Sequence, residues 1–151
     1  MTTNALMDMI RGDFRTSRPA DELNARFQTL LGLPHRYGPA RLALGRSLGI
    51  QSQPDLQLNS FGLGRPIKGE QLFGQGVELS CWLTLVTEHV GQGSLSRRDF
   101  QALITAHWHR GLYTLWDDWK VSAGEFDAFV ARLVRHANTA RGQRLVRTPA
   151  A

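Results

Sequence analysis

Apolar residues recur at helical spacing in several stretches of this 151-residue chain, and glycine and proline punctuate the gaps between them. Leu23, Phe27, Leu30 and Leu31 stand at i, i+4, i+7 and i+8, which is one face of a helix. Ser17 is placed to cap that helix. Pro19, Asp21 and Glu22 follow in the first turn, where free amides and the positive end of the helix suit them. Gly32 ends it. After a turn over Leu33–Pro39, Pro39 opens a second helix with Ala40, Leu44 and Leu48 on one face and Gly49 as its stop. Val77–Val90 reads as a central helix. One stripe is Leu79, Trp82, Leu83, Val86 and Val90, and Val77, Cys81 and Leu85 lie beside it, so two stripes predict deep burial. Ser96, with Asp99 three residues on, caps a long helix carrying Phe100, Leu103, Ile104, His107, Gly111, Leu112, Leu115 and Trp119, with Gly111 as a point of bending. Phe126, Phe129, Val130, Leu133 and Val134 mark a last helix over 124–137.

The other segments lack this period. Residues 1–13 hold Leu6, Met7, Met9 and Ile10, enough for a short docking helix. Phe14-Arg-Thr-Ser is a short extended piece. Residues 50–76 carry Pro54, Pro66 and five glycines. A connection of that length is usually functional or intersubunit, and it has room for a hairpin pairing Pro66-Ile-Lys with Gln71-Leu-Phe. Residues 139–151 are arginine-rich with no packing pattern, which predicts disorder. The fold expectation is all-α: a compact bundle of about five helices with a short N-terminal extended segment and a disordered basic tail. Residues 1–138 make one domain and residues 139–151 the tail.

Charge adds a partner class. The net charge is +5. Residues 1–68 contribute +4, residues 69–127 contribute −4, and residues 128–151 contribute +5. Basic ends around an acidic middle suit a polyanion such as nucleic acid, or a neighbouring subunit of complementary charge. No apolar run approaches the roughly 20 residues a membrane span needs. The N-terminus has no basic-then-apolar leader, and the lone Cys81 excludes an intrachain disulfide, so the expected location is cytoplasmic.

Catalytic chemistry finds little support. His107 and His109 project about 200° apart on a helix and cannot share one metal ion. His107 lies on the apolar stripe and reads as a core histidine. Gly62-x-Gly64 has no third glycine at Ile67 and no following Lys-Ser/Thr, so the glycine cluster is not a phosphate loop. Asp117 and Asp118 diverge and read as a solvated helix end. Cys81 reads as inert core. No metal, cofactor or catalytic set is expected. The usable signal is basic: Arg15, Arg18, Arg26, Arg36, Arg41 and Arg46 in or beside the first two helices, with Arg97 and Arg98 at a later helix start. Arg18 sits in a first turn, where a phosphate also meets free amides. Arg41 and Arg46 are about 140° apart on their helix, so a continuous basic face needs several helices or subunits.

Phe14-Arg-Thr-Ser, Leu23-x-x-Arg-Phe-x-x-Leu and Arg41-Leu-Ala-Leu-Gly-Arg-Ser-Leu48 together resemble the DndE family of bacterial DNA phosphorothioation systems. Gly69-Glu-Gln-Leu-Phe-Gly74 and Leu103-Ile-x-x-His107-x-x-Arg110-Gly111 extend the resemblance, which spans residues 14–116. It implies a small helical accessory protein, not itself an enzyme. Such a protein forms a homo-oligomer, a tetramer in that family. It binds the backbone of double-stranded DNA, nicked duplex included, and works with other DNA sulfur modification proteins. The chain departs from the family pattern beyond about residue 120 and uses arginine where the family often has lysine. Three other readings stand beside this one: a ribbon-helix-helix transcriptional regulator reading DNA with residues 14–16, a purely protein-binding scaffold subunit, and a nickase.

Overall fold

The computed structural model describes residues 3–57, 63–91 and 93–147. Among them the chain forms α1 (Thr3–Met9), β1 (Asp13–Phe14), α2 (Arg18–Leu30), α3 (Tyr37–Leu48), β2 (Ile67–Lys68), α4 (Gly69–Phe73), α5 (Val77–Val90), α6 (Arg97–Val121) and α7 (Phe126–Arg147). The fold is all-α apart from one two-stranded ribbon. No helix among the described residues is long and apolar enough to cross a membrane.

The caps form where local sequence places them. Ser17 takes extended backbone angles and accepts from the Ala20 amide. Ser96 does the same for the Asp99 amide. Gly32 (φ 63°) and Gly91 (φ 75°) take the left-handed conformation that ends α2 and α5. α3 starts at Tyr37, two residues before the expected Pro39. First-turn amides have no intrahelical acceptor, so proline there sacrifices no hydrogen bond.

α6 is the spine. α3 packs along it, and Gly111 lets the backbones approach. A Cβ at Gly111 would meet the Ala43 carbonyl oxygen at 1.9 Å. α6 runs unbroken through Gly111, from Arg97 to Val121. α2 lies on the same helix, with Phe27 edge-on to Trp116 and Trp119 and stacked on Phe129 of α7. A second aromatic group joins Phe14, Phe73 and Phe100.

Four expectations need correction. Ile67–Lys68 pairs antiparallel with Asp13–Phe14, not with Gln71–Phe73, which is helical in α4. Phe14 and Ile67 both need burial, and pairing across the chain supplies it while satisfying their amides. α5 buries only its first stripe: Leu79, Leu83 and Val86 are buried, whereas Val77 is 81% exposed and Cys81 is at the surface. Cys81 is thus not core. On α7, Phe129 is buried while Phe126, Val130 and Val134 are exposed, because only one edge of the apolar stripe meets the body. Finally, α7 continues through residues 139–147, which were expected to lack order. A helix already nucleated by packing extends at one hydrogen bond per residue fixed, and arginine and alanine are good helix formers. Residues 148–151 and Gly62 lie outside the described residues.

Candidate nucleic-acid interface

The eight candidate arginines divide into two groups. Five fasten the fold. Arg15 donates to the Gly64 carbonyl at 3.0 Å. Arg36 donates to Asp21 Oδ1 at 3.0 Å and to the Pro66 carbonyl at 3.1 Å, tying the 63–66 loop to α2. Arg41 caps the end of α4 through the Gln71 and Leu72 carbonyls and lies 4.3 Å from the Tyr37 ring centroid. Arg46 bonds buried Asp118 at 2.9 Å. Arg97 donates to the Arg11 carbonyl. A guanidinium suits this work because its fixed fork of donors matches several carbonyls at once.

The remaining three, Arg18, Arg26 and Arg98, are exposed and form no ion pair among the described residues. Arg26 lies flat over Trp116 of α6, 4.4 Å from the ring centroid. Arg18 opens α2 directly after Ser17, whose hydroxyl bonds His109 of α6. Arg98 is itself on α6. Positions 98, 109 and 116 fall within about 20° of one another around a helix. Arg98 and Arg26 therefore lie on one side of α6, roughly 27 Å apart at 1.5 Å per residue, and Arg18 follows the residue that joins α2 to His109 between them. Arg18 and Arg98 each stand in the first turn of a serine-capped helix, beside amides that point outward.

Three polar side chains, Ser47 of α3 with His107 and Arg110 of α6, meet where these two helices pack together. Arg110 donates from Nε to Ser47 Oγ at 2.8 Å and from Nη2 to the Ser47 carbonyl at 2.9 Å. Its Nη1 reaches the Ser52 carbonyl at 2.8 Å. Ser47 Oγ also lies 2.8 Å from His107 Nδ1. The Ser47 oxygen accepts from Arg110, which cannot accept in return, so the hydroxyl proton is left to be donated to His107. Burial, then the neighbouring His89 and Arg110, hold the His107 pKa down at about 3, so its ring is neutral and accepts that proton. His107 is a core histidine as expected, with one qualification: its Nε2 and His89 Nδ1 are buried and have no hydrogen-bond partner among the described residues. The two rings meet edge to face at 4.8 Å. Burial also lowers the pKa of His109 and of Arg110.

The paired aspartates do not both form a solvated helix end. Asp117 is exposed and pairs with Lys120 at 3.3 Å. Asp118 is 1% exposed and accepts from Arg46 and, at 2.7 Å, from Arg132 of α7, with His136 at 3.5 Å. Burial alone would raise its pKa. The hydrogen bonds from Arg46 and Arg132, with the charge of Arg46, outweigh burial and hold the carboxyl below its usual range. Among the described residues no three His, Cys, Asp or Glu side chains converge on a metal position. Comparison with protein-family models and with curated proteins finds no match.

Proposed function

We propose that this chain is a non-catalytic DNA-binding subunit of a bacterial DNA phosphorothioation system. It holds duplex backbone, intact or nicked, while partner enzymes of that system act. The observation that carries the reading is the row of Arg18, Arg26 and Arg98 beside α6, three exposed cations with no carboxylate partner among the described residues, in a protein of net charge +5. Such a row meets phosphates without reading bases, and its strength comes from counterion release.

The segments behind the DndE resemblance also interlock in this fold. Phe14 packs on Phe73, and Gly111 abuts Ala43. Segments that hold one another in place support a shared architecture better than scattered matches do. A ribbon-helix-helix regulator fits less well. It needs a strand whose side chains are free to enter a groove, but Phe14 and Thr16 are buried, and Thr16 bonds the Thr105 carbonyl. Homo-oligomerisation and a cytoplasmic location belong to the same proposal.

The test is fluorescence anisotropy with short intact, nicked and single-stranded duplex-derived oligonucleotides over a range of salt. A log–log salt slope near −3, with little dependence on sequence, is expected if three phosphates are neutralised, at about 0.9 per contact on duplex. Affinity unchanged between low and moderate salt overturns the reading.

A further inference from the structure

α3 and α7 do not close on each other. Between them lies a cleft of about 330 Å³ with Leu115 of α6 and Leu133 of α7 lining it, Leu42 and Gly45 on the α3 side, and Arg46 and His136 at its polar end. That volume lies in the range of small-molecule sites, and such sites are typically apolar with a few convergent polar groups. Gly45 of α3 borders open space: a Cβ there would meet no atom within 4 Å.

The polar end carries unbalanced charge. Asp118, fully buried behind it, is one anion. Two permanent cations, Arg46 and Arg132, bond it at 2.9 and 2.7 Å, and His136 Nε2 stands at 3.5 Å. Two guanidiniums against one carboxylate leave a surplus positive charge at the mouth of an apolar space. A buried ion cluster is stable when its charges are matched and hydrogen-bonded, so the surplus favours one further anion. His136 is kept short of protons by burial and by Arg46, against the pull of Asp118, with Arg132 and Arg135 adding to the depression. A bound anion reverses that bias.

We infer that the α3–α7 cleft binds a small carboxylate bearing an apolar chain, the chain over Leu115 and Leu133 and the carboxylate at Arg46 and His136. Charge selects the anion and the apolar walls select the chain. Neither a cation nor a bare inorganic anion satisfies both.

The test is calorimetric titration of the full chain with octanoate, octylamine and inorganic phosphate, paired with NMR of the His136 ring. Octanoate is expected to bind saturably, at least about tenfold more tightly than either of the others. Its affinity should increase as the pH falls towards and below the ordinary histidine value of 6.5, as His136 takes up a proton. The His136 pKa should rise on binding. The control is Gly45→Leu, which fills the cleft with a good helix former where nothing obstructs it. It should keep the fold by circular dichroism and lose octanoate binding. No saturable octanoate binding, equal binding of octylamine, or full binding by folded Gly45→Leu each overturns the inference.

Discussion

Gly111 of α6 faces Ala43 of α3 so closely that a Cβ on it would stand 1.9 Å from the Ala43 carbonyl oxygen. The obstacle is backbone, which a side-chain rotation cannot relieve. Gly111→Ala is therefore expected to cost about 3 kcal/mol or more, at or beyond the upper end of overpacking penalties. Gly45, on the same α3 helix, is the internal comparison. Its Cβ would meet nothing, so Gly45→Ala should stabilise by about 0.5–1 kcal/mol through helix propensity alone. Urea unfolding of the two variants checks both signs in one experiment. A mild effect at Gly111 would mean that α3 and α6 are not in such close contact.

Asp118 is the most consequential carboxylate. Removing it leaves Arg46 and Arg132 facing each other with no counter-charge in a partly closed site. Asp118→Ala is expected to cost about 3–5 kcal/mol, the usual result of breaking a buried pair from one side. Asp117→Ala should cost no more than about 0.5 kcal/mol, since its pair with Lys120 is exposed. The acid limb carries a further signature. Asp118 has a folded-state pKa below its ordinary value, so the unfolded chain takes up that proton first. Its contribution is present at neutral pH and is lost as pH falls through the ordinary carboxylate range toward the lower folded value. The Asp118→Ala variant should lack that part of the acid destabilisation.

His107 gives a separate pH dependence of the same sign. Its pKa falls from 6.5 to about 3 on folding, because burial and then His89 and Arg110 oppose the imidazolium. Between those values the unfolded chain binds the proton and the folded chain does not. Stability should therefore decline as pH drops from 6.5 towards about 3, with a slope of up to about 1.4 kcal/mol per pH unit from this group. His107→Gln keeps a polar partner for Ser47 and cannot titrate, so its unfolding midpoint should be flatter over that window. Equal slopes in the two proteins would mean that His107 is accessible to protons in the folded state.

The parts legible in the sequence were the local ones. Ser17 and Ser96 cap their helices because capping involves only residues within one turn. Phe100, Leu103, Ile104, Leu112 and Leu115 are buried because one stripe repeats for several turns. Pairings between distant segments were not legible. Nothing local in Ile67–Lys68 indicates Asp13–Phe14 as its partner, and nothing near Arg46 points to Asp118. A clue to Asp118 was available: it falls about 20° from His107 around α6, on the buried side, where an acid needs a cation. The arginines were legible as a set and not one by one. Charge alone does not distinguish Arg36, held by Asp21 and two carbonyls, from Arg18, which is exposed.

That distinction yields the sharpest test of DNA binding. Arg18, Arg26 and Arg98 contribute exposed charge and few contacts, so replacing all three with glutamine should change stability by no more than about 1 kcal/mol. Arg26 gives up its packing on Trp116, which accounts for most of that cost. The DNA salt slope should shrink by about 0.9 per residue removed, with affinity falling for every sequence alike. Arg36→Gln should behave in the opposite way. It releases the 63–66 loop and unpairs Asp21, lowering stability by about 1–3 kcal/mol while leaving the salt slope of the folded fraction intact. Anisotropy titrations at several salt concentrations, beside urea melts of the same samples, separate the two effects. If Arg36→Gln and not the triple variant reduced the slope, the phosphate row would lie along the 63–66 loop and not along α6.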